Sequence, residues 1–298
     1  MKFGYSIPNN QGVEDPRDLV DLAVAAEKMG FSSVWVAEHL FHSSYVLERL
    51  GDRPYHDALT ILTAAAMATT NVRLGTSVLV LPWHEPARLG KMVATLDQLS
   101  RGRVVLGVGV ATTEDEFKNL GVDFKSRGRR TNEVLGALQA LWTQDVPEFS
   151  GEFYNYSGLK FSPKPFRKPY PPLLIGGGSV AAFRRIVQYG DGWHTLRQSP
   201  NMVAEGRRKI AAMMAEAGRD AATLKYSISI QTRFDAPVSE KPVADRTTLQ
   251  GSAADMIDLI RAYEDAGLDE MVLGFRVPEK AADLRAMTRF VDEVASKF

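Results

Sequence analysis

The 298-residue chain contains no cysteine, which excludes disulfides, thiolate metal sites and a thiol nucleophile. It has no excess of charge: 36 Lys and Arg stand against 36 Asp and Glu. That balance argues against a general binder of nucleic acids or membrane surfaces. No stretch approaches the roughly 18 apolar residues of a membrane span. The start, "MKFGYSIPNN", lacks the apolar run of a signal peptide. The expectation is a cytoplasmic, soluble protein without nucleic-acid or membrane partners. Low-complexity tracts and domain linkers are also missing. The length suits two modest domains or one α/β barrel with insertions.

What is present is an alternation. "KFGYSI" reads as a short strand. "DPRDLVDLAVAAEKMG" follows as a helix, with Asp15 as N-cap, Pro16 in the first helical position and Gly30 just past the end. The scheme recurs: "SVWVA" then "DALTILTAAAMATT", "VRLGTSVLV" then "PARLGKMVATLDQLS", "RVVLGVGV" then "RRTNEVLGALQALW". It recurs again in "PPLLIGGG", "GDGWHTL", "KYSISIQTRF" and "DEMVLGF", each followed by a helical segment, one opening on a Ser252…Asp255 capping box. Strands alternating with helices imply a parallel sheet, and eight such units imply a (β/α)8 TIM barrel spanning residues 1–298 as one domain. Two intervals exceed simple connections and read as insertions: "FHSSYVLERLGDRPYH" after strand 2, and residues 143–170 before strand 5.

In such a barrel the active site lies at the C-terminal ends of the strands. Strand 2 stops abruptly in Glu38-His39, at the expected mouth. A histidine there could act as acid, base or donor, so His39 is a catalytic candidate, or it is a structural histidine at a strand end. "GGGS" (Gly176, Gly177, Gly178, Ser179) leads into a helix. It is either a phosphate cradle of free N–H groups, capped by Ser179, or a tight strand–helix turn. "GVGV" (Gly107, Gly109) lacks the third glycine of a dinucleotide fingerprint, and small residues inside a strand explain it equally well. His42, His56 and His84 lie near the rim at spacings that fit no ligand motif, so no metal is expected. Arg127, Arg129 and Arg130 precede a helix, where cations oppose the dipole and need an acidic partner.

Together, "ATLDQLSRGRVVLGVGV", "PPLLIGGGSVAAFRRIVQYGDGWH", "DFKSRGRRTNEVLGALQALWT" and "GEFYNYSGLKFSPKP" resemble the bacterial luciferase-like flavin and deazaflavin oxidoreductases. "MKFGYSIPNN" and "ATTEDEFKNLGVDF" lean toward the branch that uses coenzyme F420. The resemblance implies F420, or alternatively flavin mononucleotide (FMN), at the C-terminal face of the barrel, and a homodimer. It implies that Glu38 and His39 lie beside the cofactor ring, His39 oriented by Glu38. A non-proline cis peptide between Ser77 and Val78 would back the ring. Gly176 to Ser179 would hold the phosphate, with Gly107 nearby. Trp83 and Trp193 would wall the pocket or fill the core. Tyr45 and the hairpin around Tyr154 would shape the substrate site. Lys160, Lys164, Arg167 and Lys168 would meet the coenzyme's acidic tail or simply be solvated.

One departure stands out. The sugar-phosphate dehydrogenases of this family carry a catalytic glutamate just after strand 4, where this chain has Thr112, with Glu114 two residues on. The expected activity is therefore hydride transfer between F420 and another small organic substrate. The alternatives are an FMN-dependent two-component monooxygenase and a non-catalytic flavin-binding protein.

Overall fold

The computed structural model describes residues 1–275 and 277–298. Eight strands form the barrel: β1 Lys2–Ser6, β2 Ser33–Val36, β3 Arg73–Thr76, β4 Val104–Gly109, β5 Leu173–Gly176, β6 Gly192–Leu196, β7 Lys225–Phe234 and β8 Glu270–Gly274. Every neighbouring pair is parallel, and β8 closes on β1 with Lys2 opposite Glu270 and Tyr5 opposite Leu273. The expected TIM barrel is therefore present.

The helices begin where the local chemistry directs. Asp15 accepts from the Arg17 N–H ahead of helix Pro16–Lys28, and Gly30 follows at φ +88°. Asp57 caps Ala58–Ala68, and Glu85 caps Pro86–Ser100. The Ser252–Asp255 capping box opens Ala253–Asp265. At the other end of Ala58–Ala68, the Arg103 guanidinium donates to the Ala66 and Thr69 carbonyls, satisfying acceptors the last turn leaves free.

Alternation along the strands produces two apolar layers. Val34, Leu74, Leu106, Ile175, Ile228 and Leu273 face the helices and belong to the large core between sheet and helical ring. A smaller cluster of Trp35, Val105, Leu174 and Val272 fills the barrel itself. Trp35 dominates that interior. Its indole N–H donates to Ser33 Oγ at 2.7 Å, and its ring stacks on His194 at 4.7 Å and 4°. Its bulk explains a neighbouring glycine, since a Cβ on Gly75 would lie 2.2 Å from the Trp35 ring. Below, Glu270 is satisfied by Ser32, Ser33 and Arg73 and closes the floor. On the outside, Tyr5 donates to Asp283 at 2.6 Å and pins the last helix, Lys280–Glu293, to β1. Burial pushes the Asp283 carboxyl up to about 7.

Both expected insertions exist. The first contains a short helix, Ser44–Leu50. The second is a hairpin pairing Phe149–Ser150 with Asn155–Tyr156, then an extended run with cis bonds before Pro163 and Pro169. Two features lie beyond the sequence reading: helix Glu114–Asn119 after β4 and strand Leu249–Gly251 beside the end of β7. The expected third strand, "VRLGTSVLV", is interrupted at Ser77–Val78, and its end, Leu79–Val80, pairs separately with upper β4. Among the described residues no helix is long and apolar enough to cross a membrane.

Replacing Gly75 by alanine tests the interior packing. With no room for the methyl group, Gly75→Ala is expected to destabilise the protein by about 1–3 kcal/mol in urea denaturation. Stability equal to that of the parent would show that Trp35 does not fill the barrel as described.

Candidate active site

The C-terminal ends of the strands surround a cavity of about 710 Å³. Glu38, His39, Ser77, Val78, Gly176, Gly177 and Gly178 all line it. Gly107 does not. A Cβ there would fall 2.0 Å from the Thr76 carbonyl oxygen, and one on Gly109 would fall 2.8 Å from Val78 Cγ2. The glycines of "GVGV" therefore make room for the segment carrying Val78, and Gly107 lies behind the wall rather than at it. The Ser77–Val78 peptide is cis.

Glu38 and His39 do not bond to each other. Glu38 accepts from the Val80 N–H at 2.7 Å and pairs with His84 Nε2 at 2.9 Å, fastening β2 to the segment after β3. His39 Nδ1 instead meets Glu116 Oε2 at 2.6 Å, while Glu116 Oε1 accepts from the Leu40 and Phe41 N–H groups. A carboxylate only accepts, so Nδ1 carries the hydrogen and Nε2 is left with a lone pair when the ring is neutral. Burial alone would raise the Glu116 carboxyl. The hydrogen bond and charge of His39 and the two N–H groups outweigh it and hold the group below its ordinary value. Glu116 is thus an ionised, buried acceptor that fixes the His39 ring. The expectation that Glu38 orients His39 is corrected: neighbouring residues at a strand end diverge, and each finds a different partner.

Under the cavity lies a histidine that the sequence reading passed over. His194 is fully buried, with Nδ1 2.8 Å from Ser227 Oγ and Nε2 2.8 Å from Ser77 Oγ. It holds the Ser77 side chain in place. Across the barrel, Gly177 adopts φ +97° and its carbonyl accepts from the Trp193 indole at 2.7 Å. Ser179 accepts from the Ala182 N–H as N-cap of helix Val180–Tyr189, its O–H has no acceptor among the described residues, and it lies beside the cavity rather than in its lining. The N–H groups of Gly178 and Ser179 have no partner among the described residues. A helix N-terminus with free N–H groups and a hydroxyl suits an anion. Val78, Val80 and Ile230 add apolar wall, so the cavity suits a flat ring joined to a phosphate.

Other expected wall residues sit elsewhere. Trp193 is core, edge-on to Phe183. Trp83 packs beside His39 and Phe117, behind the lining. Tyr154 reaches the His84 carbonyl, so the hairpin braces the rim from outside. Lys164 donates to the Leu141 carbonyl and Lys168 to that of Pro165, Lys160 pairs with Asp145, and the Arg167 N–H donates to Asp97; none of these four residues lines the cavity. Arg129 has its acidic partner in Glu152. Tyr45, from the first insertion, does line the cavity.

Comparison with known proteins bears on this geometry. The family model for luciferase-like monooxygenases matches residues 1–240. The chain belongs to that family. The F420-dependent glucose-6-phosphate dehydrogenase of Amycolatopsis mediterranei is 30% identical over 100% of this chain and 98% of its own. The FMNH2-dependent dimethylsulfone monooxygenase of Pseudomonas putida is 29% identical over 77% of this chain and 64% of its own. A crystal structure of the monooxygenase RslO1 from Streptomyces bottropensis superposes with a TM-score of 0.85, at 21% identity, over 100% of this chain and 99% of that one. In this luciferase-like protein Thr112 lines the cavity, whereas Glu114 is exposed and outside the lining. Glu116, two residues beyond Glu114 in the same stretch and not singled out from it, is the acid that reaches the site. The six-residue helix that carries it, "EDEFKN", is too short to show a periodic face, so the sequence offers little signal for its role.

His194 gives a pH signature. Burial lowers its pKa from 6.5 to about 4. Between those values the unfolded chain binds the proton and the folded chain does not, so stability falls as pH drops through that window and is unaffected above it. The full effect is about 3 kcal/mol. His194→Asn should flatten this part of the curve of unfolding free energy against pH. An unchanged slope would assign the acid sensitivity to other groups.

Proposed function

We infer that the protein is an oxidoreductase that transfers a hydride between coenzyme F420 and a small organic substrate. The observation that carries this reading is the Glu116-held His39 on one wall of the cavity, with the glycine loop of Gly176 to Gly178 on another. The F420-dependent relative that spans the whole chain supports the choice of cofactor. When bound, the deazaflavin gives or accepts a hydride without activating oxygen.

The chain's own residues supply the rest. The N–H groups of Gly178 and Ser179 and the Ser179 hydroxyl hold a phosphate. Ser77, fixed by His194, and Val78 form the backing wall. His39 Nε2 holds or moves a proton at the substrate oxygen, and Glu116 stabilises the imidazolium form when it arises. A non-catalytic binding protein would have no use for a histidine locked into one tautomer at a cavity wall. Thr112, with Glu114 turned away, argues against a sugar-phosphate substrate despite the function of that relative. The dimethylsulfone monooxygenase supports a second reading, in which reduced FMN and oxygen are used.

Titration of the purified protein with both cofactors, oxidised and reduced, decides between them. F420 is expected to bind more tightly. A clear preference for the flavin, with oxygen consumed on reduction, would replace the first reading by the second. For His39→Ala, turnover should fall about a hundredfold or more while cofactor affinity changes little. Near-normal turnover would return His39 to a structural role.

A further inference from the structure

The first insertion brings more to the cavity than Tyr45. Arg49, from helix Ser44–Leu50, and Tyr55, just beyond it, also line the wall next to His39. The Tyr55 and His39 rings are 5.7 Å apart, and the Arg49 guanidinium lies 5.4 Å from the Tyr45 ring centre. Arg49 Nε and the Tyr55 hydroxyl are both buried atoms without a hydrogen-bond partner among the described residues. Among the described residues Arg49 forms no ion pair. The carboxylates at this end are committed elsewhere, Glu38 to His84 and Val80, Glu116 to His39 and two N–H groups. Burial keeps the Tyr55 hydroxyl far above the ordinary phenol range, so it remains a donor.

A buried Nε–H on a half-buried arginine, beside a buried O–H, is costly to leave unpaired and is satisfied when a ligand accepts from both. Arg offers only donors, and its planar fork matches a carboxylate. The cofactor's phosphate is an unsuitable occupant on positional grounds. Its loop follows β5, three strands round the barrel from β2, and has Arg197 and Gln198 beside it in the lining. Resting on the function proposed above, we propose that Arg49 and Tyr55 receive the carboxylate of the substrate, making the substrate class a small oxo acid or the corresponding hydroxy acid whose reacting oxygen faces His39.

The probes are 2-oxobutanoate and its uncharged methyl ester, matched in the reacting carbonyl. Binding is read by thermal shift on the chain alone, and by cofactor absorbance on the chain loaded with oxidised cofactor. The expected result is a preference for the anion of roughly ten- to a hundredfold. Arg49→Gln should remove most of it, Arg49→Lys should keep part, and Tyr55→Phe should reduce it, with cofactor affinity retained. Equal binding of anion and ester by the parent protein would overturn the proposal. So would a loss of cofactor affinity in Arg49→Gln, which would assign the arginine to the cofactor's own acidic groups. Failure of the cofactor reading shows separately, as absence of F420 and FMN binding to the parent protein.

Discussion

Closing eight parallel strands leaves an interior that must be filled, and here a stacked pair and three aliphatic side chains fill it. Trp35 and His194 lie face to face on the barrel axis, over a floor closed by Glu270. Much else follows from that pair. Gly75 has no side chain because the indole occupies its space. His194, kept neutral by burial, places the Ser77 hydroxyl and so sets the lower wall of the cavity. The cavity begins where the packed interior stops, which is why strands 2 to 5 change from apolar to glycine or polar at their upper ends.

The fold was legible because its signals are local and repeated. Asp15, Asp57, Glu85 and Ser252 each accept backbone N–H groups at helix starts, and the strands between them are short and apolar. Helices Ser44–Leu50 and Glu114–Asn119 were less visible. Each is too short to show a periodic face, and each is held by contacts with the other segment, Ser44 to Asp115 and Leu40 to Glu116. Segments stabilised by distant partners carry little signal of their own.

The site was legible in outline and misread in its pairing. Glu38 and His39 stand together in the chain, so each looked like the other's partner. The extended backbone turns adjacent side chains to different sides, and the true partners are 46 and 77 residues away. Gly107 was misplaced for a related reason. A glycine marks close approach but does not say to what, and its close neighbour proved to be the Thr76 carbonyl.

Glu116 also determines how the molecule can be taken apart. One carboxylate holds the His39 ring and the backbone N–H groups of Leu40 and Phe41, where the insertion that carries Tyr45, Arg49 and Tyr55 begins. The insertion and the turn after β4 are thus a single module written in two places in the chain. A loop exchanged between relatives without its matching segment 111–119 would arrive with two unpaired N–H groups and a histidine free to rotate. Recombination within this barrel therefore has natural boundaries that follow the carboxylate rather than the order of the sequence.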